Sequence, residues 1–191
     1  MRISLMLAHP DGESFNHALA CTVLDALEAE GHAVTLHDLH GEGFDPRMTR
    51  EEVRTHRSQD ELVEAHVAEI VAADGLVFVH PVWFDAPPAI LKGWVERVLR
   101  EGDAFERGVD GGFVGRLRAE AALLVTTQNA PRGEGVDAVD HFWSEFVLPA
   151  MGVREVERVT LTPVVASDET QRRAWLDEVA AAARRRFPAV T

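Results

Sequence analysis

Two short apolar runs constrain this chain most: Ile3-Ser4-Leu5-Met6-Leu7-Ala8 and Leu76-Val77-Phe78-Val79, each stopping at a His-Pro pair, His9-Pro10 and His80-Pro81. Such runs bounded by breakers read as strands buried on both faces, the mark of a parallel sheet covered by helices. The first strand, residues 2–8, leads through Asp11-Gly12-Glu13-Ser14-Phe15-Asn16 toward a helix from His17 to about Glu30, with Asn16 as its expected N-cap and Leu19, Val23, Leu24 and Leu27 at helical spacing. Both His-Pro loops then leave the carboxyl ends of neighbouring strands, where open α/β sheets bind ligands.

The remaining chain supplies the partners for these strands. Gly31 ends the first helix and residues 33–36 make a second strand, completing a right-handed βαβ unit. Thr49-Arg50-Glu51-Glu52 spells a capping box, and residues 60–73 form a helix with Leu62, Val63, Val67, Ile70 and Val71 as its buried stripe. Pro88 opens a helix through Val98, and the charged, glycine-rich residues 102–115 read as a mobile excursion. Residues 121–125 form the fourth strand, followed by Thr126-Thr127-Gln128-Asn129 and residues 130–135, a third loop at the same sheet edge. A helix from His141 to about Met151, a fifth strand within 153–162 and a last helix capped at Asp168 finish the pattern. The expected fold is one α/β domain over residues 1–191, a flavodoxin-like three-layer sandwich with a five-stranded parallel sheet of order 2-1-3-4-5.

A formal charge of −13 on 191 residues argues against nucleic acid and anionic membrane as partners. The single cysteine, Cys21, forms no intrachain disulfide, and Met1-Arg2-Ile3 runs straight into a strand, so a cytoplasmic location is the default expectation. His37-Asp38-Leu39-His40 invites a metal reading, but two histidines three apart are an incomplete ligand set; packing histidines are the plainer reading and no metal is expected.

Neither a dinucleotide glycine fingerprint nor a Walker loop is present. Ser14, Asn16 and the N–H groups of the helix start suit a phosphate, though the same residues serve equally as a cap. Trp83-Phe84, stiffened by Pro81, Pro87 and Pro88, suits a planar heterocycle, or else fills the joint between strand and helix. Thr126 and Thr127 offer hydroxyls and amides to a polar ring edge.

With these residues on the page, the segments 9–16, 31–32, 38–39, 44–46, 73–74 and above all Pro88-Ala89-Ile90-Leu91-Lys92-Gly93-Trp94-Val95-Glu96-Arg97-Val98 resemble the flavodoxin-fold NAD(P)H:quinone oxidoreductase family, which includes accessory subunits of potassium efflux transporters. The resemblance implies a flavin enzyme, working as a homodimer, that passes hydride from NAD(P)H to a quinone or similar acceptor in a ping-pong cycle. It assigns His9, Ser14, Phe15, Asn16 and Ala18 to the cofactor's phosphate and ribityl region, Phe15 through its backbone, and Pro81, Val82, Trp83 and Phe84 to the isoalloxazine wall. Thr126, Thr127, Gln128 and Asn129 fall at the polar ring edge, with Thr127, Gln128 and Asn129 as the catalytic set that stabilises charge on the reduced ring. Many members carry two glycines where this chain has Gln128-Asn129, and the absence of any tyrosine removes the tyrosine–histidine proton pair of the animal enzymes. The short stretch between Phe44 and Asp60 tilts the cofactor toward FMN over FAD. Arg132 is a candidate for a nicotinamide 2′-phosphate, with plain surface placement as the alternative. A regulatory partner of a membrane transporter and a flavodoxin-like electron carrier are the alternative functions.

Overall fold

In the computed structural model, which describes residues 1–129 and 137–189, five strands pair in parallel. They are β1 (Arg2–Leu7), β2 (Ala33–Asp38), β3 (Gly75–Pro81), β6 (Ala121–Thr127) and β7 (Glu155–Leu161), in the order β2-β1-β3-β6-β7. Counted among themselves this is 2-1-3-4-5, the flavodoxin-like order expected from the sequence. Strand alternation sorts the core into two layers. Ile3, Leu5, Leu7, Val77, Val79, Leu123 and Val125 face α1 (Phe15–Ala29) and α7 (Glu169–Arg186). Met6, Leu76, Phe78, Ala122 and Leu124 face α3 (Glu61–Ala72), α4 (Ala89–Val98) and the helical residues 138–150.

Local signals explain most boundaries. Ser14, not Asn16, caps α1: its side chain accepts from the His17 N–H, while Asn16 lies buried inside the helix. The Thr49–Glu52 box is complete at the start of α2 (Arg50–Thr55), and Asp60 and Asp168 cap α3 and α7. Strands β3 and β6 each run two residues past the expected ends, because His80 pairs with Thr126 and Pro81 with Thr127. Pro81 is tolerated there because β1 pairs with β3 only as far as Leu7↔Val79, so its missing N–H leaves no ladder bond unmade on that side. Gly93 explains the tight α4 motif: a Cβ there would lie 2.3 Å from the Pro46 carbonyl oxygen, so only glycine lets α4 seat against residues 44–46. One turn on, Arg97 donates to Glu52 Oε1 from Nε and Nη2, at 3.0 and 2.8 Å, and to the Asp45 carbonyl.

Residues 102–115, read from sequence as a mobile excursion, instead hold an antiparallel hairpin, β4 (Phe105–Arg107) with β5 (Phe113–Gly115). Its Phe105 and Phe113 rings meet edge-on at 5.0 Å, an apolar contact hidden from a reading that weighs charge and glycine alone. The helix expected from His141 begins at α5 (Ala138–Asp140), continues as a π-helical stretch (His141–Val147) and ends in α6 (Leu148–Ala150).

Candidate active site

β1, β3 and β6 are adjacent parallel strands, so their carboxyl ends lie side by side and define a cleft at one sheet edge. The loops after β1 and β3 approach closely, with the His9 and Trp83 rings 6.1 Å apart. On the first loop, His9 Nδ1 accepts from the Asp11 N–H at 3.1 Å, and Ser14 Oγ lies 3.0 Å from His17 Nδ1, whose other nitrogen is 3.1 Å from Asp38 Oδ2. The carboxyl of Asp38 is held below its ordinary range: burial opposes this, but the Gly41 and His40 N–H groups and His17 outweigh it. The first-turn N–H groups of Phe15 and Asn16 have no hydrogen-bond partner among the described residues, as the start of an anion-binding helix requires. The Phe15 side chain turns away to pack on Trp175 at 6.0 Å, leaving its backbone for the cleft, and Ala18 is exposed.

Asn16 bridges to the third loop. Its carboxamide atoms lie 3.0 and 3.2 Å from Thr127 Oγ1, joining α1 to β6 at the cleft floor. Thr126 and Thr127 were expected as a matched pair, but strand alternation sends their side chains to opposite faces. The Thr126 hydroxyl is buried against Thr160 Oγ1 at 3.0 Å and Arg158 Nε at 3.4 Å, so it takes no part in the cleft. The Gln128 N–H donates to the Leu161 carbonyl at 3.0 Å, and Asn129 Oδ1 accepts from the Val165 N–H at 2.8 Å. Both groups therefore brace the third loop, and the backbone donor expected at Gln128 is committed elsewhere. Residues 130–136, Arg132 among them, lie outside the described residues.

The second loop holds the feature that sequence reading missed. Trp83 and Ala86 exchange both backbone hydrogen bonds, at 3.0 and 3.1 Å, closing a two-residue turn in which Phe84 and Asp85 have φ of 52° and 55°. Two successive left-handed residues make a type I′ turn, a geometry that favours Asn and Gly. With Phe and Asp there the turn is strained, and such strain gathers at functional sites. Phe84 projects fully into solvent, and the N–H groups of Phe84 and Asp85 are unpaired among the described residues, pointing to Asp85 as a candidate site residue beside Pro81, Val82, Trp83 and Phe84. No Asn-Gly or Asp-Gly signal marks this turn, so nothing in the sequence announces it.

Beneath it, His80 is fully buried. Trp143 Nε1–H donates to His80 Nε2 at 3.0 Å, which puts the histidine proton on Nδ1, and that N–H donates to the Pro81 carbonyl at 2.9 Å. Burial drives its pKa down to about 4, with the Pro81 carbonyl opposing and Arg158 adding to the fall, so the ring is neutral near pH 7.

The histidines flagged near β2 form a different group. His37, Glu42 and His66 have ligand atoms within 4.8 Å of one another. Yet His66 Nδ1 accepts the Trp94 indole N–H at 2.8 Å, which places the histidine proton on Nε2, directed at Glu42 Oε2 at 3.0 Å. A metal-bound histidine normally donates its second N–H outward. Here the nitrogen facing the group is itself a donor, so the geometry is that of a hydrogen-bonded chain.

A family model described as having a flavodoxin-like fold matches residues 1–186. Ribosyldihydronicotinamide dehydrogenase (quinone) of Pongo abelii is 32% identical over 146 residues, covering 66% of this chain and 62% of that protein, so the chain spans about 62% of the length of this relative. Among solved structures, Smu.1420 from Streptococcus mutans UA159 superimposes with a TM-score of 0.83 at 27% identity, over 97% of this chain and 100% of that one. The NAD(P)H:quinone oxidoreductase from Methanothermobacter marburgensis gives a TM-score of 0.83 at 25% identity, over 96% and 98%. The chain belongs to the flavodoxin-like fold family, whose model spans nearly all of it.

Proposed function

We propose that the protein is a flavin-dependent NAD(P)H oxidoreductase that reduces quinones or similar acceptors, with FMN favoured over FAD and a second copy of the chain completing the site. The observation that carries this reading is the pairing, across one cleft, of two sets of backbone donors without partners among the described residues: Phe15 and Asn16 at the start of α1, and Phe84 and Asp85 in the strained turn. The first set suits a phosphate and the second the acceptor-rich edge of a planar ring, with Trp83 beside it as a wall, so the residues present fit a flavin.

When bound, the flavin supplies a ring that takes hydride from reduced nicotinamide and returns it to the acceptor in alternating half-reactions. The chain's part is to hold and to exclude. Ser14 fixes the start of α1, and the Asn16–Thr127 bridge keeps the phosphate end and the ring end in register. Phe84 and Asp85 present donors that need no reorganisation, because the turn is already closed. Of the two backbone donors after Thr127, only the Asn129 N–H has no partner among the described residues and is left to meet negative charge. The oligomer is supported by an apolar patch of Phe113, Val114 and Phe146, exposed side chains with the two phenyl rings 5.8 Å apart. A cytoplasmic setting belongs to the same reading; no helix among the described residues is long and apolar enough to cross a membrane.

The test is direct. The purified protein is expected to carry yellow flavin absorbance that NADH or NADPH bleaches and menadione restores, with FMN released on denaturation. Colourless protein that takes up neither FMN nor FAD overturns the reading.

A further inference from the structure

The turn at residues 83–86 is strained, exposed and unsupported by glycine, so something beneath it must hold its base. The Pro81–Val82 peptide is gripped at both ends: the Pro81 carbonyl accepts from His80 Nδ1–H at 2.9 Å, and the Val82 N–H donates to the Thr127 carbonyl at 2.7 Å. A peptide plane held on both sides cannot rotate, and this plane sets the direction in which the turn leaves β3. His80 is in turn fixed by the Trp143 indole, and Trp143 packs on Phe78 with ring centroids 4.4 Å apart. Trp143 lies within the π-helical stretch, a helical irregularity that is frequent at functional sites.

We propose that His80 is the positioning residue of the ring-binding turn, acting through its Nδ1–H on the Pro81 carbonyl. The imidazole lies inside the sheet-to-helix layer and touches the cleft only through the backbone it orients. The proposal rests on the flavin reading for its functional consequence, while its structural core concerns the chain alone.

The two ring nitrogens can be separated by substitution. His80→Asn keeps a donor near the Nδ1 position and loses the acceptor for Trp143; His80→Gln reaches toward the Nε2 position and loses the donor to Pro81. A third variant, Trp143→Phe, leaves the His80–Pro81 bond in place. In the flavin-free full-length chain, amide hydrogen exchange at Val82 is expected to quicken about tenfold in His80→Gln, the scale of one lost hydrogen bond, and to stay within about threefold of wild type in the other two. FMN affinity follows the same order, with about a tenfold loss and a changed visible flavin spectrum in His80→Gln alone. If all three variants lose Val82 protection and FMN affinity in step with their thermal stability, or if none does, His80 is a packing residue and the proposal fails. If wild-type protein binds no flavin, the functional reading fails, and the exchange measurement still decides the role of His80.

Discussion

Two tryptophans in the same helical layer, Trp94 and Trp143, each donate an indole N–H to a buried histidine, and what differs is where each histidine sends its own proton. His80 passes it to a backbone carbonyl at the cleft, with no carboxylate beside it among the described residues. His66 passes it to Glu42, whose other oxygen is 3.0 Å from His37 Nδ1, with His37 Nε2 3.8 Å from Glu69. The same donor–acceptor pair thus ends in a neutral backbone clamp in one region and a charged relay in the other. Near the cleft a neutral clamp adds no charge beside the proposed ring site; by the edge strand β2 a charged chain ties α3 and α4 to the sheet.

The largest difference is expected in the response to acid. The ordinary histidine value of 6.5 falls to about 4 at His80. As the pH drops through that window the unfolded chain takes up a proton that the native chain refuses, so stability declines with falling pH by about 3 kcal/mol, and above it this site gives no slope. Urea denaturation at pH 7 and pH 4.5 is expected to show a clearly shallower loss in His80→Asn than in wild type. Equal losses would mean that His80 is not held neutral.

Removing each indole donor should come next. Trp143→Phe leaves His80 Nε2 buried without a donor and without an anion to support protonation, a cost of about 2 kcal/mol at pH 7. Trp94→Phe likewise leaves His66 Nδ1 without its donor; Glu42 offsets part, though not all, of the burial and His37 repulsion that hold the His66 pKa below its ordinary value, so a smaller cost of about 1 kcal/mol is expected. Chemical denaturation of the two variants checks the order, and the reverse order breaks the comparison.

Much of this architecture was legible in the sequence, and the failures share a cause. The apolar runs gave the strands, and Thr49-x-x-Glu52, Asp60 and Asp168 gave the helix starts, because each signal acts over a few neighbouring residues. The strand ends at Thr126 and Thr127 were missed because partners across the sheet set them, and the hairpin of β4 and β5 because it closes through two phenylalanines eight residues apart. The His37–Glu42–His66 chain joins three elements, so the nearby His40 drew attention from His66, 29 residues beyond His37. In the candidate site the same split appears: the placing of Ser14, Asn16 and Thr127 at one sheet edge was legible from local signals, whereas the free N–H groups of the turn at Phe84 and Asp85 depend on backbone angles that its residues do not favour.

Glu42 tests the charged region more gently. His37 has its pKa raised: burial acts to lower it, but the Glu69 and Glu42 carboxylates prevail. Its contribution to stability is therefore fully present below the ordinary value of 6.5 and is lost as the pH climbs through the raised native value, the opposite sign to His80. Glu42→Gln keeps the shape and removes one anion, and is expected to cost about 1 kcal/mol at pH 6 and less at pH 8. NMR titration should show the His37 pKa falling in the variant; an unmoved His37 would assign the raised value to Glu69 alone.

The smallest expected effect has the opposite direction. Phe84 and Asp85 hold left-handed backbone that Asn and Gly adopt more readily, so Phe84→Asn with Asp85→Gly should relieve strain that the turn now carries. Glycine also loosens the unfolded chain, which cancels part of the gain, and a net stabilisation of about 0.5 kcal/mol remains. Thermal denaturation is expected to show a small rise in Tm, while on the proposed flavin reading FMN affinity falls because the turn holds its donors less rigidly. A variant that is both less stable and unchanged in flavin binding would show that the turn is neither strained nor part of the site. The clamp at His80 would then have nothing to position, and the contrast between the two histidines would be one of burial alone.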